Sequence, residues 1–313
     1  MSSSILIAGG SGFIGSHLAE FLLAKGSNVT VIDNFVTGSP KNVEGLDKKF
    51  PGKFRLIEGD ICHLPKFDCT FSQIYNLASP ASPTEFTRIP IEILMTGSLG
   101  HKNLLDLATQ QKARILFGST SEVYGDALEH PQRETYFGNV NSFGERSCYD
   151  EAKRFGEALT YAYAKQFETD IRIIRIFNTY GPRMRPSDGR IIPNFFVQAL
   201  KKMPLTIYGD GKQTRSFCYV TDLVEGLYSL MEGNYKSPVN IGNPIERTVL
   251  EMAEIINSLA KNGSGICFKP LPQDDTQKRK PDITLARQKL NWEPKVSLEQ
   301  GLQKTEAYFK SLV

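Results

Sequence analysis

Gly9-Gly10-Ser11-Gly12-Phe13-Ile14-Gly15 stands between a short apolar run, residues 5–8, and a segment of helical period, residues 13–25. Glycine at Gly9, Gly12 and Gly15 allows a tight strand-to-helix turn and lets the backbone approach a ligand closely. The helix that follows offers unpaired N–H groups and the positive end of its dipole, an arrangement suited to a pyrophosphate. Glycine-rich turns that bind nothing also meet this spacing. Asp33 adds the missing information. It ends the second apolar run, 18 residues after Gly15, where a carboxylate accepts both hydroxyls of an adenosine ribose and repels a 2′-phosphate. D-N-F-V-T-G (33–38) contains no arginine, so the expected cofactor is NAD rather than NADP.

Outward from this motif, short apolar runs at residues 5–8, 29–33, 54–57, 73–78, 114–118 and 171–176 alternate with helical segments at 13–25, 91–108 and 150–167. That alternation predicts an α/β fold, a doubly wound parallel sheet of the Rossmann type with right-handed crossovers. Ligands in such sheets bind beyond the carboxyl ends of the strands. Small or polar residues stand there: Gly9, Asp33-Asn34, Asp60, Ala78-Ser79 and Ser119-Thr120. After Phe177 the texture changes to Pro, Gly and Arg, as in N-T-Y-G-P-R (178–183) and Y-G-D-G-K-Q-T-R (208–215). A helix from near Thr221 and the strand-like V-N-I-G-N (239–243) are expected to return to the first unit. The division is therefore discontinuous, with an NAD-binding domain at 1–177 and 219–243 and a smaller C-terminal α/β substrate domain at 178–218 and 244–313. There is no internal repeat or low-complexity segment.

Composition narrows the class. The chain has 313 residues, 40% hydrophobic and 23% charged, enough for one large α/β unit or a cofactor domain with a companion. The formal charge of +3 is spread along the chain, which argues against nucleic acid and anionic membranes while suiting a small anionic substrate. Cys62, Cys69, Cys148, Cys218 and Cys267 are odd in number and lack C-x-x-C spacing. They are expected to be free thiols in a reducing compartment, the cytoplasm. Met1, three serines and then an apolar strand leave no room for a signal peptide or anchor, so a soluble protein is expected. His17, His63, His101 and His130 have no cysteine or carboxylate partner at useful spacing, and no metal site is expected.

Tyr149-x-x-x-Lys153 places a phenol and an ammonium one turn apart on one helix face. The ammonium and a positive nicotinamide nearby are expected to lower the tyrosine pKa from about 10 toward neutrality, making a base for a sugar hydroxyl. The spacing also occurs at Tyr161/Lys165 and Tyr208/Lys212, so position must decide. Tyr149 opens its predicted helix and follows S-T-S-E (119–122) by about 30 residues. Tyr161 lies roughly 18 Å further along that helix and is expected in core or dimer packing. Cys148 is expected to pack rather than react.

G-x-x-G-x-x-G, the hydroxyl of Thr120, Y-x-x-x-K and N-T-Y-G-P-R together resemble the extended short-chain dehydrogenase/reductases that modify nucleotide sugars, over almost the whole chain. L-A-S-P-A-S-P (77–83), S-T-S-E-V-Y-G (119–125), C-Y-D-E-A-K (148–153), R-I-F-N-T-Y-G-P-R-M (175–184) and D-D-T-Q-K-R-K-P-D-I (274–283) resemble the UDP-glucuronate decarboxylase family. The resemblance implies tightly bound NAD, a UDP-sugar substrate, a homodimer built on two helices from each subunit and no net redox change. The cofactor site it implies comprises Gly9, Gly12, Phe13, Ile14, Gly15, Asp33, Asn34, Phe35, Thr37, Gly38, Asp60, Ile61, Leu77, Ser79, Thr96 and Ser119, with Tyr149 and Lys153.

The same resemblance assigns roles. Related 4,6-dehydratases carry Asp-Glu where this chain has Ser121-Glu122, and without that Asp the loss of water from C6 lacks its acid. Related 4-epimerases usually have no acid at the Glu122 position. Tyr149 is expected to take the C4 hydroxyl proton, Lys153 to hold the tyrosinate and the nicotinamide ribose, and Thr120 and Ser121 to bond the C4 oxygen. Glu122 is expected near the sugar carboxylate, relaying protons to C5 or destabilising the charged ground state. Arg279 occupies the position where the resemblance places an arginine facing that carboxylate. Asn178, Arg190 and Arg215 are candidates for the pyrophosphate and hydroxyls, and Tyr208 for stacking on uracil.

Two segments depart from the family pattern. Met95-Thr96-Gly97 stands in place of K-T-N, and Ser142-Phe143-Gly144-Glu145-Arg146 in place of P-I-G-P-R. They touch on which sugar nucleotide is accepted. The rival readings are a UDP-glucuronate 4-epimerase or a 4,6-dehydratase on the same fold and, from another class, a non-catalytic NAD-binding regulator.

Overall fold

The computed structural model describes residues 4–270 and 278–313. Met1 to Ser3, and residues 274–277 of the D-D-T-Q-K-R-K-P-D-I motif, lie outside the described residues. Six strands come early in the chain: β1 (Ser4–Ala8), β2 (Asn28–Asp33), β3 (Phe54–Glu58), β4 (Gln73–Asn76), β5 (Arg114–Thr120) and β6 (Ile171–Ile176). With Val239–Ile241 they form one parallel sheet, in the order Val239–Ile241, β6, β5, β4, β1, β2, β3. The winding direction reverses between β1 and β4, which opens a crevice at their carboxyl ends. β1 and β5 are buried almost end to end, as parallel strands covered on both faces must be.

Element boundaries moved where local signals conflict. The helix read at 150–167 begins three residues earlier, spanning Ser147–Gln166, so Tyr149 is its third residue rather than its opening one. A turn at Gly144, whose carbonyl takes the Ser147 N–H (3.1 Å) and Oγ–H (2.7 Å), leads into it. Asp150, a cap-type residue, therefore sits inside the first turn, where an acid also complements the helix dipole. The segment read as 91–108 is helical from Pro90 to Gln111 with a π turn at Thr96–Gly100. Gly97 and Gly100 make that turn possible: a Cβ on them would lie 2.7 Å from Ala152 Cβ and 2.6 Å from Ile61 Cγ1.

Beyond β6 the chain builds smaller sheets. Leu205–Tyr208 pairs with Ile266–Lys269, and Thr214–Ser216 is flanked by Glu246–Thr248 and Lys278–Arg279, which places Arg279 opposite Arg215. One buried apolar cluster runs from Ile5, Ile7 and Leu18 through Leu227 to Phe196, Ile207 and Met252. Among the described residues no helix is long and apolar enough to cross a membrane.

A polar network ties the end of β5 to the helix Ser147–Gln166. Glu157 accepts from Ser119 Oγ (2.6 Å) and from Arg175 Nε and Nη2 (2.9 and 2.7 Å), while Arg175 Nη1 donates to the Tyr124 hydroxyl (2.9 Å) and the Glu134 carbonyl (3.0 Å). Both charged side chains are largely buried. Removing one partner leaves the other charge without compensation, so Arg175→Met is expected to destabilise the fold by about 3 kcal/mol. Urea unfolding should show it as a lower midpoint at an unchanged slope.

Candidate active site

The glycine turn is shaped by contact, not only by flexibility. Gly9 has φ +75°, and a Cβ there would fall 2.7 Å from the Ala78 backbone nitrogen; a Cβ on Gly15 would strike the Gly9 carbonyl. The helix Phe13–Ala24 starts at Gly12 with no side-chain cap and no acid in its first turn, which leaves its end free for an anion. The Asp33 carboxylate accepts from the N–H of Ser11 and of Phe35, each at 2.9 Å. Burial pushes its pKa up, against the pull of the Phe35, Ser11 and Gly12 backbone bonds. Asp60 accepts from the Cys62 N–H (2.7 Å) and is within 3.4 Å of Asn34 Nδ2. These residues fit a dinucleotide with free ribose hydroxyls.

The sheet's carboxyl edge and the later segments enclose a cavity of about 840 Å³. Every residue assigned from the sequence to the cofactor, the catalytic groups or the substrate lines it except Phe35 and Arg279. Phe35 contributes its backbone N–H to Asp33 instead. Tyr149, 7% exposed, stacks on Phe86 with ring centroids 5.2 Å apart. Burial pushes its phenol up to about 12; a hydrogen bond with Thr120 and the Arg190 charge oppose this, and Glu122 and Asp150 add to it. The expected lowering by Lys153 is therefore not what the protein's own groups produce, because desolvation dominates. Lys153 donates to the Gly118 carbonyl (2.7 Å), lies 5.8 Å from the Tyr149 ring centroid and is lowered to about 7 by burial against the Glu157 charge.

Arg279, which the resemblance places opposite the sugar carboxylate, has partners within the protein. It is 4% exposed and is not among the residues that line the cavity; its Nη1 is on Glu122 Oε1 and its Nη2 3.2 Å from the Gly125 carbonyl. Arg146 Nη2 holds the other oxygen of Glu122 at 2.8 Å. Burial alone would raise the Glu122 carboxyl, but the charges and bonds of Arg279 and Arg146 outweigh it and hold it down to about 2. Glu122 is thus a clamped carboxylate whose counter-charges come from this chain.

Reading the sequence missed Arg146, Asp150, Asp188 and the pair Arg185–Glu85. Asp188 grips Arg190 with both carboxylate oxygens and takes the Ser82 hydroxyl on its carbonyl, which joins the loop after β4 to the loop before the helix Ile191–Leu200. Arg185 reaches the buried Glu85 at 2.9 Å. Arg146 had a signal, since it lies in a departing segment three residues before Tyr149. Asp150 stands in the sequence only as the first residue of the helical segment read at 150–167. Of the other Tyr-x-x-x-Lys pairs, Tyr161 is 62% exposed and so outside the core, and Tyr208 stands half-exposed at the cavity rim. Cys148 is buried with its thiol pushed up by burial, as packing requires.

Fold and site together define an extended short-chain dehydrogenase/reductase, and the family model described as GDP-mannose 4,6 dehydratase matches residues 6–305. A UDP-glucuronic acid decarboxylase 1 of Arabidopsis thaliana is 50% identical over 309 residues, covering 99% of this chain and 70% of the relative. One from Danio rerio is 52% identical over 308 residues, covering 97% and 72%. The chain belongs to this dehydratase family and, within it, to the UDP-glucuronic acid decarboxylases. Among solved structures, UDP-glucuronic acid 4-epimerase from Bacillus cereus in complex with UDP-glucuronic acid and NAD superimposes with a TM-score of 0.88 at 28% identity, covering 99% of this chain and 100% of that one. UDP-glucose 4-epimerase from Thermotoga maritima, with UDP-glucose, gives 0.89 at 29%, covering 99% of each chain.

Arg279→Met removes one of the two guanidinium groups that hold Glu122 down, so the Glu122 carboxyl moves back up. The acidic limb of kcat/KM against pH is expected to shift upward by about one unit. An arginine that touched only the substrate carboxylate would instead lower kcat/KM by the same factor at every pH, and a parallel profile would return Arg279 to that role.

Proposed function

We propose that this protein converts UDP-glucuronate to UDP-xylose and carbon dioxide with NAD retained throughout. The observation that carries the reading is the turn after β5: Thr120, Ser121 and Glu122 face Tyr149 and Lys153 across one cavity, with an acid at Glu122 and none at Ser121. Bound NAD would supply the acceptor and donor for the C4 hydride, and its positive ring the charge that favours Tyr149 as a base. Oxidation at C4 places a ketone β to the C6 carboxylate. The C5–C6 bond then breaks, carbon dioxide leaves, and the electron pair stays as an enolate until a proton reaches C5. Tyr149 takes the C4 hydroxyl proton and gives it back; Thr120 and Ser121 bond the C4 oxygen; Lys153 holds Tyr149 and the cofactor ribose. Glu122, fixed as a carboxylate, faces the sugar's C5–C6 end.

Gly9 to Gly15, Asp33 and Asp60 serve the dinucleotide. Residues 178–218 and 244–313 serve the UDP-sugar, with Asn178, Arg190 and Arg215 on its polar groups and Tyr208 against uracil. A homodimer in the cytoplasm completes the reading. It is supported by exposed Ile91, Leu94, Met95 and Leu99 beside exposed Phe155 and Tyr161 on two helices packed together, and by the free cysteines among the described residues.

Purified protein should evolve carbon dioxide and UDP-xylose together from UDP-glucuronate without added reductant. UDP-galacturonate with no gas would establish the 4-epimerase reading instead. Tyr149→Phe should lower turnover roughly 10²- to 10⁴-fold with NAD content unchanged, whereas Tyr161→Phe should leave the rate within about twofold. Equal losses in the two variants would overturn the choice between the tyrosines.

A further inference from the structure

His101 opens the helix His101–Gln111 and is fully buried, and the chemistry proposed above makes no use of it. Its ring stacks on Phe117 of β5 with centroids 4.2 Å apart. Both ring nitrogens are engaged: Nδ1 lies 3.0 Å from Asn76 Nδ2, and Nε2 lies 2.7 Å from Thr160 Oγ1. The neighbours fix which nitrogen carries the proton. Asn76 Oδ1 accepts the Ala78 N–H (3.2 Å), so the amide nitrogen of Asn76 faces His101, and Nδ1 must accept from it. The Thr160 hydroxyl donates to the Gly156 carbonyl (2.7 Å), so its oxygen accepts the Nε2–H. A protonated ring would set a second donor against Asn76 Nδ2. Burial first, then the Lys153 charge, hold the imidazole down to about 3, against the pull of the Gly156 carbonyl.

Four hydrogen bonds thus run in one direction, from the Ala78 N–H through Asn76, His101 and Thr160 to the Gly156 carbonyl, among side chains at most 2% exposed. Bonds aligned head to tail in a water-free interior polarise and strengthen one another. The ends of the chain belong to the two parts of the fold that must meet at the cofactor. Ala78 packs against the glycine turn, where a Cβ on Gly9 would fall 2.7 Å from its nitrogen, and it lines the cavity with Leu77 and Ser79. Gly156 lies on the helix Ser147–Gln166 one turn beyond Lys153, whose Nζ stands 5.1 Å from the centre of the same Phe117 ring. We propose that His101 is a positioning residue: its Nε2–H imidazole locks the helix carrying Tyr149 and Lys153 to the loop after β4, and so sets the reach of both side chains to NAD. The inference rests on the reading of Tyr149 and Lys153 as the groups that act at C4.

The test uses NAD-loaded protein and three substitutions. His101→Phe keeps a ring on Phe117 and removes both hydrogen bonds, Thr160→Val keeps the shape of Thr160 and removes its hydroxyl, and Thr160→Ser keeps the hydroxyl. In His101→Phe and Thr160→Val, kcat on UDP-glucuronate should fall about tenfold or more with KM within about twofold, and bound NAD should be released on dilution at least about fivefold faster. Thr160→Ser should stay within about twofold of wild type in both measurements. The double variant His101→Phe/Thr160→Val should lose no more than the worse single one, because one broken link already opens the chain. Release of NAD at the wild-type rate in His101→Phe, additive losses in the double variant, or a Thr160→Ser no better than Thr160→Val would each overturn the proposal. A lower urea midpoint with kcat and NAD release unchanged would assign His101 to stability alone and overturn it too. Should His101→Phe fail to fold, the comparison of Thr160→Val with Thr160→Ser decides by the same criteria. Release of NAD needs no turnover, so it stands apart from failure of the decarboxylase reading, which an absence of carbon dioxide from the wild type would show.

Discussion

Gly156 lies against the ring of Phe117, so closely that a Cβ would collide with it. This contact lets the helix Ser147–Gln166 settle onto β5 at backbone distance. Lys153, one turn before Gly156, can then reach the Gly118 carbonyl, and Glu157, the next residue, can clasp Ser119 and Arg175. Tyr149 is carried by the same helix to the hydroxyl of Thr120 at the strand's end. The relative position of acid, base and hydroxyl is thus a consequence of helix-on-strand packing, held by groups that do no chemistry themselves.

Within that frame, desolvation is the largest influence on each titratable group at the centre. It raises Tyr149 and Asp150 and lowers Lys153, in each case toward the uncharged form. Glu122 goes the other way because two guanidinium groups, approaching from different elements, grip its two oxygens. The site therefore contains one fixed carboxylate among groups poised near neutrality of charge. Such an arrangement separates acid and base roles at a single pH.

The clamp also changes how the arginines divide. Arg279 belongs to Glu122 and the Gly125 carbonyl, whereas Arg190 is oriented by Asp188 and Arg185 by Glu85, both toward the cavity. Arg279 does not line the cavity, whereas Arg190 and Arg185 do. Position in a motif does not distinguish these two cases.

What could be read from the chain alone was local in origin. The glycine turn, Asp33 at the end of β2, the alternation of strand and helix, and Tyr149 with Lys153 one turn apart all depend on neighbours within about 20 residues, where backbone geometry and side-chain period govern. The helix start at Ser147 follows the turn at Gly144, and the π turn at Thr96–Gly100 goes with close packing of Gly97 on Ala152 and of Gly100 on Ile61, contacts that local propensity does not register. The direction of Arg279, the clamp by Arg146, the raised Tyr149 phenol and the burial of Asp150 were decided only in three dimensions. The clamp on Glu122 joins residues 24 and 157 apart in sequence, and Coulomb interaction and burial depend on distance in space, to which spacing along the chain gives no guide.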